Sequence, residues 1–402
     1  MYRVFRRRVD KIVGRVSVEE VNGHVEVTGV SGTFMEQDLQ KIWKTSRIGK
    51  FMFTSTDRYC FTLPSFFALD LRYILEHMLS LDRRLLISRR TARQIVDALN
   101  ENTWLKDTLS DDKHCLDFSK LDNLVPKPLD FQRRFLDYYD TLVPKYGLKG
   151  LILAGAPGSG KTITTIALAE CLNSDTVIVV CPNNALDIVW KDTLAWVFKK
   201  PQAVWMSNSN TRYMGQRYAV LHYEYLEKFL LECSAVSGKV TIILDESHNA
   251  NEMSSNRTQA FIQLCAKTGS ENVIWASGTS FKALGYESIP VFKTIDPRFN
   301  DEIINSFKKM FGKEAKKSLD ILAHRIDIMS YKIEKSELGL NKPKITTVKV
   351  STPDSKNYTL SKIKEDMQVF ISERVAYYQK HRKENETQYN ECLAAFTRST
   401  VY

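Results

Sequence analysis

The stretch Leu151-Ile-Leu-Ala-Gly155-Ala-Pro-Gly-Ser-Gly-Lys-Thr162 decides the fold. A short apolar run enters a Gly-rich turn, and the residues from Lys161 to Cys171 then read as a helix. The turn fits G-x-x-x-x-G-K-[ST], and strand–turn–helix is the setting in which that pattern signifies a phosphate cradle. Gly155, Gly158 and Gly160 let backbone N–H groups turn inward around phosphate oxygens, with Ser159 between the last two. The start of the following helix adds favourable partial charge. Lys161 is expected to reach the β- and γ-phosphates and the Thr162 hydroxyl to ligate Mg²⁺, so the predicted cofactors are ATP and Mg²⁺.

Working outward, Thr176-Val-Ile-Val-Val-Cys181, Val240-Thr-Ile-Ile-Leu244 and Asn272-Val-Ile-Trp-Ala276 are further short apolar runs separated by amphipathic segments, one of them from Ala185 to Phe198. Apolar strands alternating with helices predict a parallel sheet covered on both faces, an α/β fold. Val240–Leu244 runs straight into Asp245-Glu246-Ser247-His248. In a parallel sheet that order delivers Asp245 to the carboxyl edge, beside the phosphates. Asp245 is expected to hold Mg²⁺ through water and Glu246 to polarise the attacking water. An isolated Asp-Glu pair is more often the acidic first turn of a helix, and the phosphate loop tips the balance here.

Composition narrows the class. The 402 residues are 43% hydrophobic and 26% charged, which excludes a disordered chain, and 17 Gly with 11 Pro exclude a collagen-like one. The length suits two or three domains. No run of about 18 uncharged apolar residues occurs, so no membrane span and no membrane partner are expected. Met1–Arg15 is basic without an apolar core and does not read as a secretory signal. Seven scattered cysteines, with no C-x-x-C pair, support neither a disulfide framework nor a zinc site and predict a reducing intracellular location, cytoplasmic or nucleoid-associated. The net charge of +10 divides as +3 over residues 1–125, +2 over 126–300 and +5 over 301–402. Such a balance suits a polyanionic partner without naming one.

Three regions follow. Residues 1–115 read as a small α+β accessory domain. It has period-two strands at His24-Val-Glu-Val-Thr28, Phe51–Ser55 and Tyr59–Leu63, and helices after Ser65 and from Thr91 to Asn100. Arg6-Arg7-Arg8 and the cluster Arg83, Arg84, Arg89, Arg90 and Arg93 suit either phosphate contact or a solvated face, so this domain either recognises DNA or braces its neighbour. Residues 116–350 read as the nucleotide-binding lobe. Residues 351–402 read as a helical segment with Ile363, Met367, Phe370, Ile371 and Val375 at helical spacing, and the Lys-rich chain beyond Asp301 reads as helical throughout. Lys308, Lys309, Lys313, Lys316 and Lys317 suit a solvated helix face.

The pattern over residues 129 to about 360 resembles the superfamily-two helicases, and within them the Swi/Snf-type DNA translocases, whose first lobe is RecA-like. Gln132 in Leu129-Asp-Phe-Gln132 stands where that family places its adenine-reading glutamine. Val177–Cys181, Pro182 and Trp190 resemble the segment whose helix start meets the DNA backbone, and Leu221-His-Tyr223-Glu224 resembles the next motif. Asp245-Glu-Ser-His248 is similar to the D-E-x-H box, which adds His248 to the catalytic set, and Arg257 follows where related members carry a basic residue. Ser277-Gly278-Thr279 resembles the motif linking nucleotide state to DNA contact. Ile295–Phe299, His324-Arg325 and Lys342–Val350 resemble the segment that closes the first lobe. Taken singly, Trp190 and Tyr223 are more often core aromatics than DNA contacts.

The resemblance implies a DNA-dependent ATPase or helicase that translocates on double-stranded or branched DNA. Ser280 stands where the family usually has proline after the threonine. No Q-x-x-G-R-x-x-R-like string occurs, and Gly14-Arg15 is the only Gly-Arg pair. The expected partner, beside DNA, is therefore a second RecA-like lobe in the same longer chain. The residues given are expected to bind ATP–Mg²⁺ and hydrolyse it slowly. A motor subunit of a restriction or defence system and a nucleotide-gated DNA-binding module that never translocates are the alternative readings. A compact motor with a short unfamiliar N-terminal unit would suit a bacteriophage.

Overall fold

Strands without polar residues inside must be covered on both faces, and this requirement shapes the computed structural model of the chain. It describes residues 16–21, 24–29, 54–55, 60–68, 114–278, 285–311, 316–338 and 360–380. Seven strands form one sheet: β5 (Gly150–Gly155), β6 (Thr176–Cys181), β7 (Val204–Met206), β8 (Tyr218–His222), β9 (Val240–Leu244), β10 (Asn272–Ser277) and β11 (Ser330–Ile333). Their order is β11-β5-β10-β9-β6-β8-β7, and every neighbouring pair is parallel. All residues of β5, β6, β9 and β10 are buried, as the apolar runs predict. The predicted α/β, RecA-like parallel sheet is what the chain forms. β11 was not foreseen: beyond Asp301 the chain does not stay helical but returns to pair with β5, Ser330 opposite Ile152.

Four antiparallel strands precede this sheet: β1 (Val16–Val21), β2 (His24–Gly29), β3 (Thr54–Ser55) and β4 (Cys60–Pro64), in the order β1-β2-β4-β3. The helices predicted over 91–100 and beyond residue 68, and the two arginine clusters, lie outside the described residues. The contacts separate into two units, 1–340 and 341–402, and the described part of the second is one helix, Leu360–Lys380. Met367 and Phe370 are exposed along it. Among the described residues, no helix is long and apolar enough to cross a membrane.

The first four-stranded sheet and the seven-stranded sheet share one hydrophobic core. The short helix α1 (Ser65–Ala68) places Phe66, 2% exposed, among rings from two later helices. Its centroid lies 5.1 Å from Phe292 on the helix Ile289–Ile295, 4.9 Å from Phe299 in the turn that follows and 6.3 Å from Phe307 on the helix Asp301–Phe311, in edge-to-face arrangements. Such geometry suits ring quadrupoles, and each pair adds about 0.5–1.5 kcal/mol to the burial of its area. The Arg325 guanidinium sits 5.1 Å from the Phe66 centroid and bonds to Asp296 at 2.6 Å.

Asp296 is the polar centre of this region. Its fully buried carboxylate accepts from Arg298 at 2.7 and 3.0 Å and from Arg325. Burial alone would raise this carboxyl, but the two guanidinium charges outweigh it and hold the carboxyl below its ordinary value. Its contribution to stability is full above the ordinary carboxylate range near pH ~4 and is lost as pH falls through the depressed folded value. Asp296→Asn removes the negative charge that faces buried Arg325 and half-buried Arg298 and is expected to cost about 3–5 kcal/mol in a denaturant titration at pH 7. It should also flatten the acid side of the stability curve, and an unchanged midpoint would contradict this account.

Candidate active site

Three strand ends build the site. β5 leads into the glycine turn, β10 lies beside β5, and β9 lies beside β10, so their carboxyl ends meet at one edge. Gly158 and Gly160 adopt φ of +79° and +75°, a left-handed conformation that disfavours side chains. Gly160 has a second constraint, since a Cβ there would stand 2.8 Å from the Gln132 amide. The turn then feeds α3 (Lys161–Cys171), whose first residue is the lysine.

The predicted phosphate ligands gather here. Lys161 is buried, and its ammonium donates to the Gly155 carbonyl at 2.8 Å and to Ala156 at 3.4 Å. Ser159 is 1% exposed, and its hydroxyl has no hydrogen-bond partner, a rarity for a buried polar group. Thr162 is half-buried in the first turn of α3. An orphaned hydroxyl, two left-handed glycines and a lysine satisfied only by the loop's own carbonyls fit a triphosphate. Thr162 and Asp245 supply the oxygen ligands that Mg²⁺ prefers.

Gln132 lies on α2 (Asp130–Tyr146) and is 4% exposed rather than solvated. Its carbonyl accepts from the Leu129 N–H at 2.8 Å, and its amide donates to Gly160 at 3.3 Å. The helix start is thereby tied to the phosphate loop.

The D-E-x-H residues are placed by their neighbours. Asp245 is 8% exposed; one carboxylate oxygen accepts from the Trp190 indole at 2.9 Å and the other from the Glu246 N–H at 3.0 Å. Burial raises the Asp245 carboxyl above its ordinary value, against the opposing pull of the indole. Glu246 adopts φ 49° and ψ 50°, left-handed for a residue with a side chain. Its two flanking carbonyls are held by Tyr223, whose phenol lies 2.5 Å from Asp245 O and 3.1 Å from Glu246 O. Burial pushes that phenol up, so it remains a donor.

The Glu246 carboxylate lies 3.3 Å from His248 Nδ1, which is also 3.3 Å from the Ser277 hydroxyl. Gly278 N–H points toward Glu246 at 3.5 Å, and a Cβ on Gly278 would contact Pro157 of the phosphate loop at 3.5 Å. The geometry thus joins Glu246, His248, Ser277 and Gly278, while Thr279 lies outside the described residues. Pro182 is half-buried at the start of the helical run 183–196, here α4. Trp190 is 1% exposed, which removes it from direct contact with a surface ligand. Tyr223 is buried, as a core aromatic would be, but its donation to the Asp245–Glu246 backbone was not anticipated from sequence. A buried tyrosine that begins a turn right after an apolar strand was the available signal.

Residues 126–274 match the family described as type III restriction enzyme, res subunit. That match falls on the stretch whose phosphate loop and D-E-x-H residues leave the strands on either side of β10. Over these residues the chain is similar to the first lobe of superfamily-two helicase ATPases. Among solved structures, the chain is similar to the Sulfolobus solfataricus SWI2/SNF2 ATPase core in complex with dsDNA, with 16% identity, 69% of this chain and 59% of that chain covered, and a TM-score of 0.42. It is similar also to the core domain from the same organism, at 19% identity, covering 54% of this chain and 46% of that one, with a TM-score of 0.39. The chain therefore spans less than two thirds of either. No curated protein matches it.

Within this lobe, Tyr223→Phe keeps the ring and removes the donor. The Asp245 carbonyl then loses its bond, and the unfolding free energy is expected to fall by about 1–3 kcal/mol in a urea titration. An unchanged titration would mean that another group holds this backbone.

Proposed function

We propose that the chain is the nucleotide-binding front lobe of an ATP-driven motor that moves along double-stranded or branched DNA, in remodelling, annealing or branch migration. The observation that carries this reading is the convergence of the phosphate loop, Asp245–Glu246 and Ser277–Gly278 at one sheet edge, joined through His248. A site that only held nucleotide would not need a carboxylate in strained backbone poised beside the phosphate loop.

The chain's residues divide the work. Loop N–H groups from Gly155 to Thr162 enclose the phosphates, and Lys161 exchanges its bond to Gly155 for one to a phosphate oxygen. Mg²⁺, when bound through Thr162 and Asp245, offsets phosphate charge. The Glu246 carboxylate orients the attacking water and accepts its proton. His248 carries the position of Glu246 to Ser277, so that nucleotide state reaches the segment after β10. Pro182 and the start of α4 form the DNA-facing edge.

A second reading has its own support. The family matched over residues 126–274 is named for a restriction enzyme subunit, which favours the motor of a restriction or defence system. The two readings share this lobe and differ in the DNA they answer to: branched or plain duplex for the first, duplex carrying a recognition sequence for the second.

Lys161→Ala is expected to weaken ATP binding by at least ~10-fold, since it removes a charge-assisted contact. Glu246→Gln should retain binding and lower turnover by about 100-fold or more. With no arginine-finger string in its 402 residues, the chain should hydrolyse ATP slowly, because such a finger contributes roughly a thousand-fold or more. ATPase rates with no DNA, single-stranded, duplex and forked DNA decide the matter. Fast DNA-stimulated turnover by this chain would overturn the slow-hydrolysis expectation, and ATP binding that no DNA alters would favour a module that never translocates.

A further inference from the structure

Trp190 reaches the nucleotide site from an unusual piece of backbone. α4 consists of Asn183–Ala185, a π-helical stretch Leu186–Lys191 and Asp192–Trp196. A π-helix is rare and recurs at functional sites. Within these six residues Ile188 is 76% exposed and Trp190 is 1% exposed, so one short segment joins the surface to the interior. It follows β6, which pairs with β9 through Val180 and Leu244, and the Asp245 N–H donates to Val180 O at 2.8 Å. The segment after β6 is thereby carried over Asp245.

The contact itself is specific. The Trp190 indole Nε1 is 2.9 Å from Asp245 Oδ2, with both side chains buried. An indole N–H donates and cannot accept, so this bond orients a carboxylate and nothing else. Asp245 Oδ1 is held by the Glu246 N–H at 3.0 Å. One fixed donor on each oxygen stops the carboxylate from turning and leaves its remaining lone pairs in set directions. Donors of this kind orient metal ligands elsewhere, and losing one typically costs about 10–100-fold in metal affinity.

We propose that Trp190 is a positioning residue that sets the Asp245 carboxylate for Mg²⁺-dependent nucleotide binding. The inference rests on the reading of Asp245 as the metal-side carboxylate. Its consequence is narrow: Trp190 affects the advantage that Mg²⁺ gives the nucleotide and leaves nucleotide contacts in the phosphate loop untouched.

The test is ADP affinity of the full chain, measured by calorimetry with Mg²⁺ and with a chelator, for the wild type and for Trp190→Phe, which keeps a ring and removes the donor. The expected result is a loss of about 10-fold or more in the Mg²⁺-dependent gain, with chelator affinity within about twofold of the wild type. An unchanged Mg²⁺ gain in Trp190→Phe overturns the inference and leaves the site reading intact. No ADP binding by the wild type overturns the site reading and this inference with it. A second measurement needs no variant. The wild type has six tryptophans, so six indole N–H resonances, and one should shift when Mg²⁺ is added to the ADP complex. If none moves, the inference fails even where Trp190→Phe does not fold.

Discussion

A buried carboxylate must be given donors, and much of this lobe is arranged around that demand at Asp245. An ionised group held away from water is costly unless hydrogen bonds replace its hydration. Here the replacements come from different places in the chain: an indole from the crossover after β6 and a main-chain N–H from the next residue. The phenol that follows β8 holds the adjoining carbonyls. Parallel pairing makes this possible, because it brings the carboxyl ends of β6, β8 and β9 to the same edge. The apolar strands therefore act as more than filling. They fix where each polar residue leaves the sheet.

A second buried acid organises the opposite concern, the joining of the early chain to the lobe. Asp296 draws in Arg298 and Arg325, and Arg325 lies against Phe66 from the segment before the lobe. Phe66 packs against Phe292, Phe299 and Phe307 and under the Arg325 guanidinium, so it has a specific docking point rather than a general apolar contact. Leu63, Phe66 and Phe67 thus belong to the same buried apolar cluster as the seven-stranded sheet.

What could be read in advance follows from how local each signal is. The phosphate loop, Asp245–Glu246 and the strands β5, β6, β9 and β10 were legible because spacing and unbroken apolar runs are local properties. β11 was not, since Ser-Tyr-Lys-Ile carries a lysine and two half-buried polar-tipped residues, and only pairing with β5 makes it a strand. Phe66 carries no local signal, because its partners lie over 200 positions away. The π-helical register at Leu186–Lys191 has no composition signature, so the aim of Trp190 was hidden even though the residue itself was singled out.

The phosphate loop shows the same dependence on internal bonds. Lys161 is bonded to Gly155 O, Ser159 has no partner, and Gln132 spans from Leu129 to Gly160. The loop is held in shape by bonds internal to the protein, with Gly158 and Gly160 in the left-handed conformation. On the acid side, Glu246 is kept left-handed by Tyr223 and Asn249, which donates to its carbonyl at 3.0 and 3.1 Å. Strain of order 1–3 kcal/mol is tolerated in such a residue only where surrounding bonds over-determine it. Both halves of the site are therefore held by bonds from neighbouring residues. Between them stands His248, whose Nδ1 lies 3.3 Å from both the Glu246 carboxylate and the Ser277 hydroxyl, so one side chain connects the D-E-x-H segment with the end of the strand that pairs with β5.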